Sequence, residues 1–162
     1  MVAIMILAAV AVSQQNAQTH VRTSEPRIAA LIQAGRARSA TLLRLVETLD
    51  HSDVIVYVEP KLGRESLGGF LQNDVVVTGG YRYLRIAIDF SATEESVLPV
   101  LAHELQHASE VAQEPTALNA ASIEKLFARL TMAFGCNGPR CFETQAALAV
   151  EEKVRAELKA TR

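Results

Sequence analysis

His103 and His107 stand four residues apart in the stretch Leu101-Ala102-His103-Glu104-Leu105-Gln106-His107-Ala108, with Glu104 beside the first of them. On a helix, residues four apart share a face about one turn apart, so both imidazoles can aim at a single point. Zinc accepts such nitrogens at about 2.0–2.1 Å. Glu104 is rotated away from the direct ligand direction, yet it can reach a water on the metal and serve as general base. The five-residue pattern arises by chance in roughly one chain of this length in two hundred. Two of the four histidines lie here, and the other two, His20 and His51, fall in segments that read as surface.

A catalytic zinc needs a third protein ligand and one open position. No histidine follows His107, so a downstream ligand must be a carboxylate: Glu110, Glu114, Glu124, Glu143, Glu151, Glu152 or Glu157. Glu110 continues the motif face, but a straight helix carries it past the point where the imidazoles converge. Glu114 sits at the helix end beside Pro115. Glu124, next to Lys125, reads as a helix-surface charge, as do Glu151, Glu152 and Glu157. Glu143 opens the last expected helix, between Phe142 and the small residues Ala146 and Ala147, which permit close packing on the motif helix. Glu143 is therefore the expected third ligand, with Glu110 second; the plainer role for Glu143 is a first-turn acid that complements the helix dipole.

These side chains need elements to hold them. Apolar spacing predicts a short helix over 24–34, interrupted at Gly35, and a second capped by Ser39 with Leu42, Leu45, Val46 and Leu49 on one face. The β-branched run 53–59 predicts a buried strand, and two more strands are expected at 70–78 and 82–90 around a Gly79-Gly80 turn. In the last, Leu84, Ile86, Ile88 and Phe90 alternate with Tyr83, Arg85, Ala87 and Asp89, so one face of the sheet is buried. Ser91-Ala92-Thr93-Glu94 has the form of a capping box and can open the motif helix, which runs to about Gln113. Pro99 either bends that helix or moves its start to Ser96. Further helices are expected over 118–133 and 142–158. Strands grouped before helices predict an α+β fold, a small three-stranded, mainly antiparallel sheet packed on the motif helix and the C-terminal helices.

The chain of 162 residues is enough for one domain with a core. Apolar residues make up 49% and charged residues 21%, in the soluble globular range. Sixteen basic and 18 acidic side chains give a formal charge of -2, and no dense Lys/Arg cluster or aromatic platform suggests nucleic acid. Val2–Val12 is apolar and uncharged, too short to span a bilayer unaided, and fits the core of an export signal although no Lys or Arg precedes it. Residues 1–18 are therefore set apart as a signal peptide and 19–162 as the single domain. The protein is expected to be exported, periplasmic or extracellular, and retention by the N-terminal apolar segment is the variant of that expectation. The turn chemistry of Asn137-Gly138-Pro139 can bring Cys136 and Cys141 together, and in an exported protein a local disulfide is the natural reading over a thiolate metal pair or free thiols.

His103-Glu104-x-x-His107 followed by Glu143-x-x-Ala146 resembles the gluzincin branch of the zincin metallopeptidases, in the size range of its small single-domain members. The resemblance covers the motif helix, the Glu143 helix and the strand before the motif. Those families often carry E-x-x-A-D, and Ala147 stands where the Asp would be. The resemblance implies a zinc peptidase whose peptide or protein substrate lies extended along an edge strand, here 82–90. Tyr81, Tyr83 and Arg140 are candidates for stabilising the oxyanion. The competing expectations are a zinc-binding envelope module without activity and an amidase acting on a non-protein amide.

Overall fold

The computed structural model describes residues 19–61, 68–131 and 143–161. The elements follow in the order β1 (Val21–Arg22), α1 (Pro26–Arg38), α2 (Ala40–Asp50), β2 (Val54–Pro60), β3 (Gly69–Leu71), β4 (Val76–Thr78), β5 (Tyr81–Ile88), α3 (Glu94–Ala112), α4 (Ala120–Leu130) and α5 (Gln145–Ala160). The architecture is α+β, with a small mixed sheet against helices.

The sheet differs from the expected three strands. Five strands pair in the order β1-β2-β5-β3, with β4 also on β5. β1, β2 and β5 run parallel to one another, while β3 and β4 are antiparallel to β5. The expected 70–78 strand is divided because the polar residues Gln72, Asn73 and Asp74 leave the ladder, although the Gln72 N–H still donates to the Arg85 carbonyl at 2.8 Å. Gly79 and Gly80 make the two-residue turn into β5 with φ of 59° and 81°, left-handed values that favour glycine. β5 is interior, flanked by β2 on one side and by β3 and β4 on the other, so it offers no free edge.

The period of two in β5 sorts its side chains. Arg82, Leu84, Ile86 and Ile88 are buried toward the helices, and Tyr81, Tyr83 and Arg85 face outward. Tyr57 on β2 stacks on Tyr83 with ring centroids 6.4 Å apart, and Tyr81 meets His20 edge-on at 5.6 Å. All three tyrosines of the chain thus lie on the face of the sheet turned away from α3.

α3 is the central helix, and from Val97 to Val111 nearly every residue is buried. Leu98, Leu101 and Leu105 join Leu84, Ile86, Ile88, Leu42 and Leu49 in one core. Thr93 caps α3 without a side-chain bond, and Pro99 lies inside the helix. The expected capping box does not form, because Ser91 bonds Asp89 instead, its N–H at 3.0 Å and its hydroxyl at 2.7 Å. α1 runs through Gly35 to Arg38, contrary to the expected interruption. A Cβ on Gly35 would collide with the side chains of Leu42 and Leu98, so glycine allows the close packing of α1 on α2 and α3.

Two polar anchors hold the helices. Arg82 is 2% exposed; it donates twice to Asp53, at 2.7 and 2.8 Å, and to the carbonyls of Val111 and Glu114, both at 2.8 Å. A cation is therefore fixed at the C-terminal end of α3, where the helix dipole is negative. Glu157, expected as a surface charge, reaches from α5 to the start of α2: it accepts from the Ser39 hydroxyl at 2.6 Å, the Thr41 hydroxyl at 2.8 Å and the Thr41 N–H at 3.1 Å.

Candidate metal centre

The buried stretch of α3 carries an unusual polar load, with His103, Glu104, His107, Ser109 and Glu110 all below one-tenth exposed. Burial of so many polar groups is costly unless each finds a partner. The partners define the site.

The two imidazoles converge as helical spacing requires. His103 Nε2 and His107 Nε2 are 3.1 Å apart. Each ring is held from behind by a carboxylate: Glu151 Oε2 is 3.1 Å from His103 Nδ1, and Glu110 Oε2 is 2.9 Å from His107 Nδ1. A carboxylate accepts, so each Nδ1 carries the proton and donates it. With both rings neutral, that assignment leaves both Nε2 atoms with bare lone pairs facing each other. Such a contact is repulsive unless a positive charge sits between them. Phe127 from α4 packs edge-on against His107, with centroids 5.2 Å apart, and closes the apolar side.

Glu143 comes to the same point. Its Oε2 is 3.6 Å from His103 Nε2, buried, and without a hydrogen-bond partner. Glu143 does not open the helix as expected. It precedes the N-cap Thr144, whose side chain accepts from the Ala147 N–H, and α5 begins at Gln145. Placed outside the helix, the Glu143 carboxylate turns toward His103 rather than complementing the helix dipole.

Among the described residues, no group of three or more His, Cys, Asp or Glu side chains is arranged so that it could hold a metal ion. The spacing of the two imidazole nitrogens is compatible with two ligands of one divalent cation. Two ligands of a tetrahedral zinc at 2.0–2.1 Å lie about 3.3 Å apart, close to the separation of the two Nε2 atoms. The buried, unpartnered Glu143 oxygen stands 3.6 Å from one of those nitrogens, so it is the nearest candidate for a third donor.

Glu104 lies beside this point. Its Oε2 accepts the Leu71 N–H of β3 at 2.8 Å. Burial raises its carboxyl above the usual range, against the opposing pull of His107, His103 and the Leu71 N–H.

The remaining expected residues are placed as follows. Both Glu110 oxygens are engaged away from the converging Nε2 atoms, one on His107 Nδ1 and the other on the Thr144 hydroxyl. Tyr81 and Tyr83 lie on the opposite face of the sheet and cannot serve an oxyanion at this site. Arg140, Cys136, Cys141 and residues 1–18 lie outside the described residues. Glu151 was expected to be a surface charge. Its role was available from spacing: Ala147, Glu151, Val154 and Leu158 share one face of α5, and the other three are fully buried. Ala147, where the resemblance would place a supporting carboxylate, has none to offer, and Glu151 supplies one a turn later.

No protein-family model matches this chain, no curated protein matches its sequence, and no solved structure matches its fold.

Proposed function

We propose that this protein is a zinc-dependent hydrolase of peptide bonds, with the metal held by His103, His107 and Glu143 and with Glu104 as general base. The observation that carries the reading is the convergence of two bare imidazole nitrogens with the unpartnered Glu143 oxygen. Zinc held there would supply a polarising charge for the substrate carbonyl and would make a bound water more acidic.

The chain's own residues supply the rest. Glu151 and Glu110 hold the imidazoles in the tautomer that leaves Nε2 free. Glu104 keeps one oxygen on the Leu71 N–H, leaving the other to take a proton from water and return it to the leaving amine. With β5 interior, docking of an extended peptide by strand addition falls to β3, the edge whose Leu71 already touches Glu104. Export belongs to the same reading and rests on the apolar run Val2–Val12 and the cysteine pair.

The test is Glu104→Gln. It should keep zinc and lose hydrolysis of a peptide library by about 10²-fold or more. Full activity in that variant would remove Glu104 from the chemistry.

A second reading, a zinc-binding module without turnover, has its own support in the burial of His103, Glu104 and His107 and the closure of β3 on Glu104. Zinc-loaded wild type that cleaves nothing in the library, and whose metal does not exchange with chelator, would favour it.

A further inference from the structure

Thr144 follows Glu143 directly and is 3% exposed. Its hydroxyl donates to Glu110 Oε1 at 2.7 Å and accepts from the Ala147 N–H at 3.1 Å. The second oxygen of Glu110 holds His107 Nδ1 at 2.9 Å. A backbone bridge to Thr131 fixes Thr144 from the other side. We infer that Thr144 is a positioning residue: through Glu110, its hydroxyl locks the His107 imidazole to the segment that carries Glu143. The inference rests on the proposed metal site and deepens it.

Capping alone does not explain a hydroxyl here. A cap needs only an acceptor, which Asp or Asn also provides. Glu110 needs a donor, and a hydroxyl has a single proton to give. Thr144 spends that proton on Glu110 and caps α5 with a lone pair. Without it, Glu110 Oε1 is buried and unpaired, so the carboxylate turns to find another donor. His107 then loses its fixed partner, and the proton on its ring is free to move to Nε2, where it blocks the lone pair. The same substitution loosens the start of α5 and with it Glu143. Two ligands from distant parts of the chain are set by one hydroxyl.

The experiment measures zinc affinity by competition with a chromophoric chelator, and the visible spectrum of the cobalt-substituted protein, in full-length wild type, Thr144→Ser, Thr144→Val and Glu110→Gln. Thr144→Ser keeps the hydroxyl and should stay within about 3-fold of wild type, whereas Thr144→Val should weaken zinc about 10-fold or more and alter the cobalt spectrum. Glu110→Gln should weaken zinc by a similar factor, because the amide has a single accepting oxygen for two donors, the His107 Nδ1–H and the Thr144 hydroxyl. A Thr144→Val/Glu110→Gln double variant should be no weaker than the worse single, since both break one chain of contacts. A folded Thr144→Val with wild-type affinity and spectrum overturns the inference and leaves the metal site standing. If Thr144→Val does not fold, Glu110→Gln decides: unchanged affinity overturns the inference, and a 10-fold loss (about the size expected for a supporting contact) at an unchanged metal-free melting temperature supports it. Wild type that binds neither metal sinks the metal site and the inference together.

Discussion

Glu151 and Glu143 hold opposite sides of one ring: Glu151 Oε2 is 3.1 Å from His103 Nδ1, and Glu143 Oε2 is 3.6 Å from His103 Nε2. Both belong to the C-terminal segment, eight residues apart, so α5 and the residue before its cap grip the imidazole from two directions. The Arg155 guanidinium, 2.6 Å from Glu151 Oε1, occupies the other oxygen of that carboxylate.

Glu151→Gln should therefore weaken zinc by about 10–100-fold while leaving the fold intact. Arg155→Ala should have a smaller effect, because that ion pair is half-exposed. Chelator competition on the two purified variants is the measurement. Equal affinities in wild type and Glu151→Gln would show that His103 needs no support from behind.

Zinc content separates the two acids weighed for the third ligand. Glu143→Ala should lose the metal under dialysis, and Glu110→Ala should retain a weakened site. The reverse pattern, read by elemental analysis, would place the ligand on α3 and empty Glu143 of its role.

Arg82 supports the site from the far end of α3. Replacement by Ala leaves the Val111 and Glu114 carbonyls without their donor and should cost about 3 kcal/mol in urea unfolding. Asp53→Asn should cost less, since the Asp53 side chain is 47% exposed. An Arg82→Ala protein as stable as wild type would mean that water replaces the guanidinium freely.

Gly35→Ala tests the packing of α1. Alanine favours a helix over glycine by up to about 1 kcal/mol. The collision with Leu42 and Leu98 should outweigh that, for a net loss of about 1–3 kcal/mol by the same unfolding assay. A gain in stability would show that the two leucines can yield.

Acid should destabilise the protein through two carboxyls. The Arg82 hydrogen bond holds Asp53 below its ordinary value of 3.8. Glu157 is pushed up by burial but pulled further down by Ser39 and Thr41, ending below 4.5. Folded values below unfolded ones mean stability that is present above the unfolded pKa and lost as pH falls through the folded one. The melting temperature should drop between about pH 5 and pH 3, and the slope should flatten in Asp53→Asn and Glu157→Gln. A slope unchanged in both variants would assign the acid transition elsewhere.

Much of this arrangement was legible from residue spacing. The four-residue interval placed His103 and His107 on one face, the period of two sorted β5, and Gly79-Gly80 marked its turn. Local patterns failed where distant contacts decided. Gly35 reads as a break, but the leucines that need its missing side chain lie on other helices. Glu157 and Glu151 read as surface charges because their partners, Ser39, Thr41 and His103, are far away in the chain. The parallel pairing of β2 with β5 skips the strands between them, which no hairpin signal announces. Ser91 to Glu94 looked like a cap, yet Asp89 competed for the serine.

The placement of the three tyrosines has a spectroscopic consequence. The chain has no tryptophan, so its near-ultraviolet emission comes from Tyr57, Tyr81 and Tyr83. All three watch the outer face of the sheet, across the molecule's backbone ladder from the histidines. None of the three tyrosines lies against His103 or His107, so their emission reports on the sheet rather than on that pair, and loss of the sheet registers in all three at once.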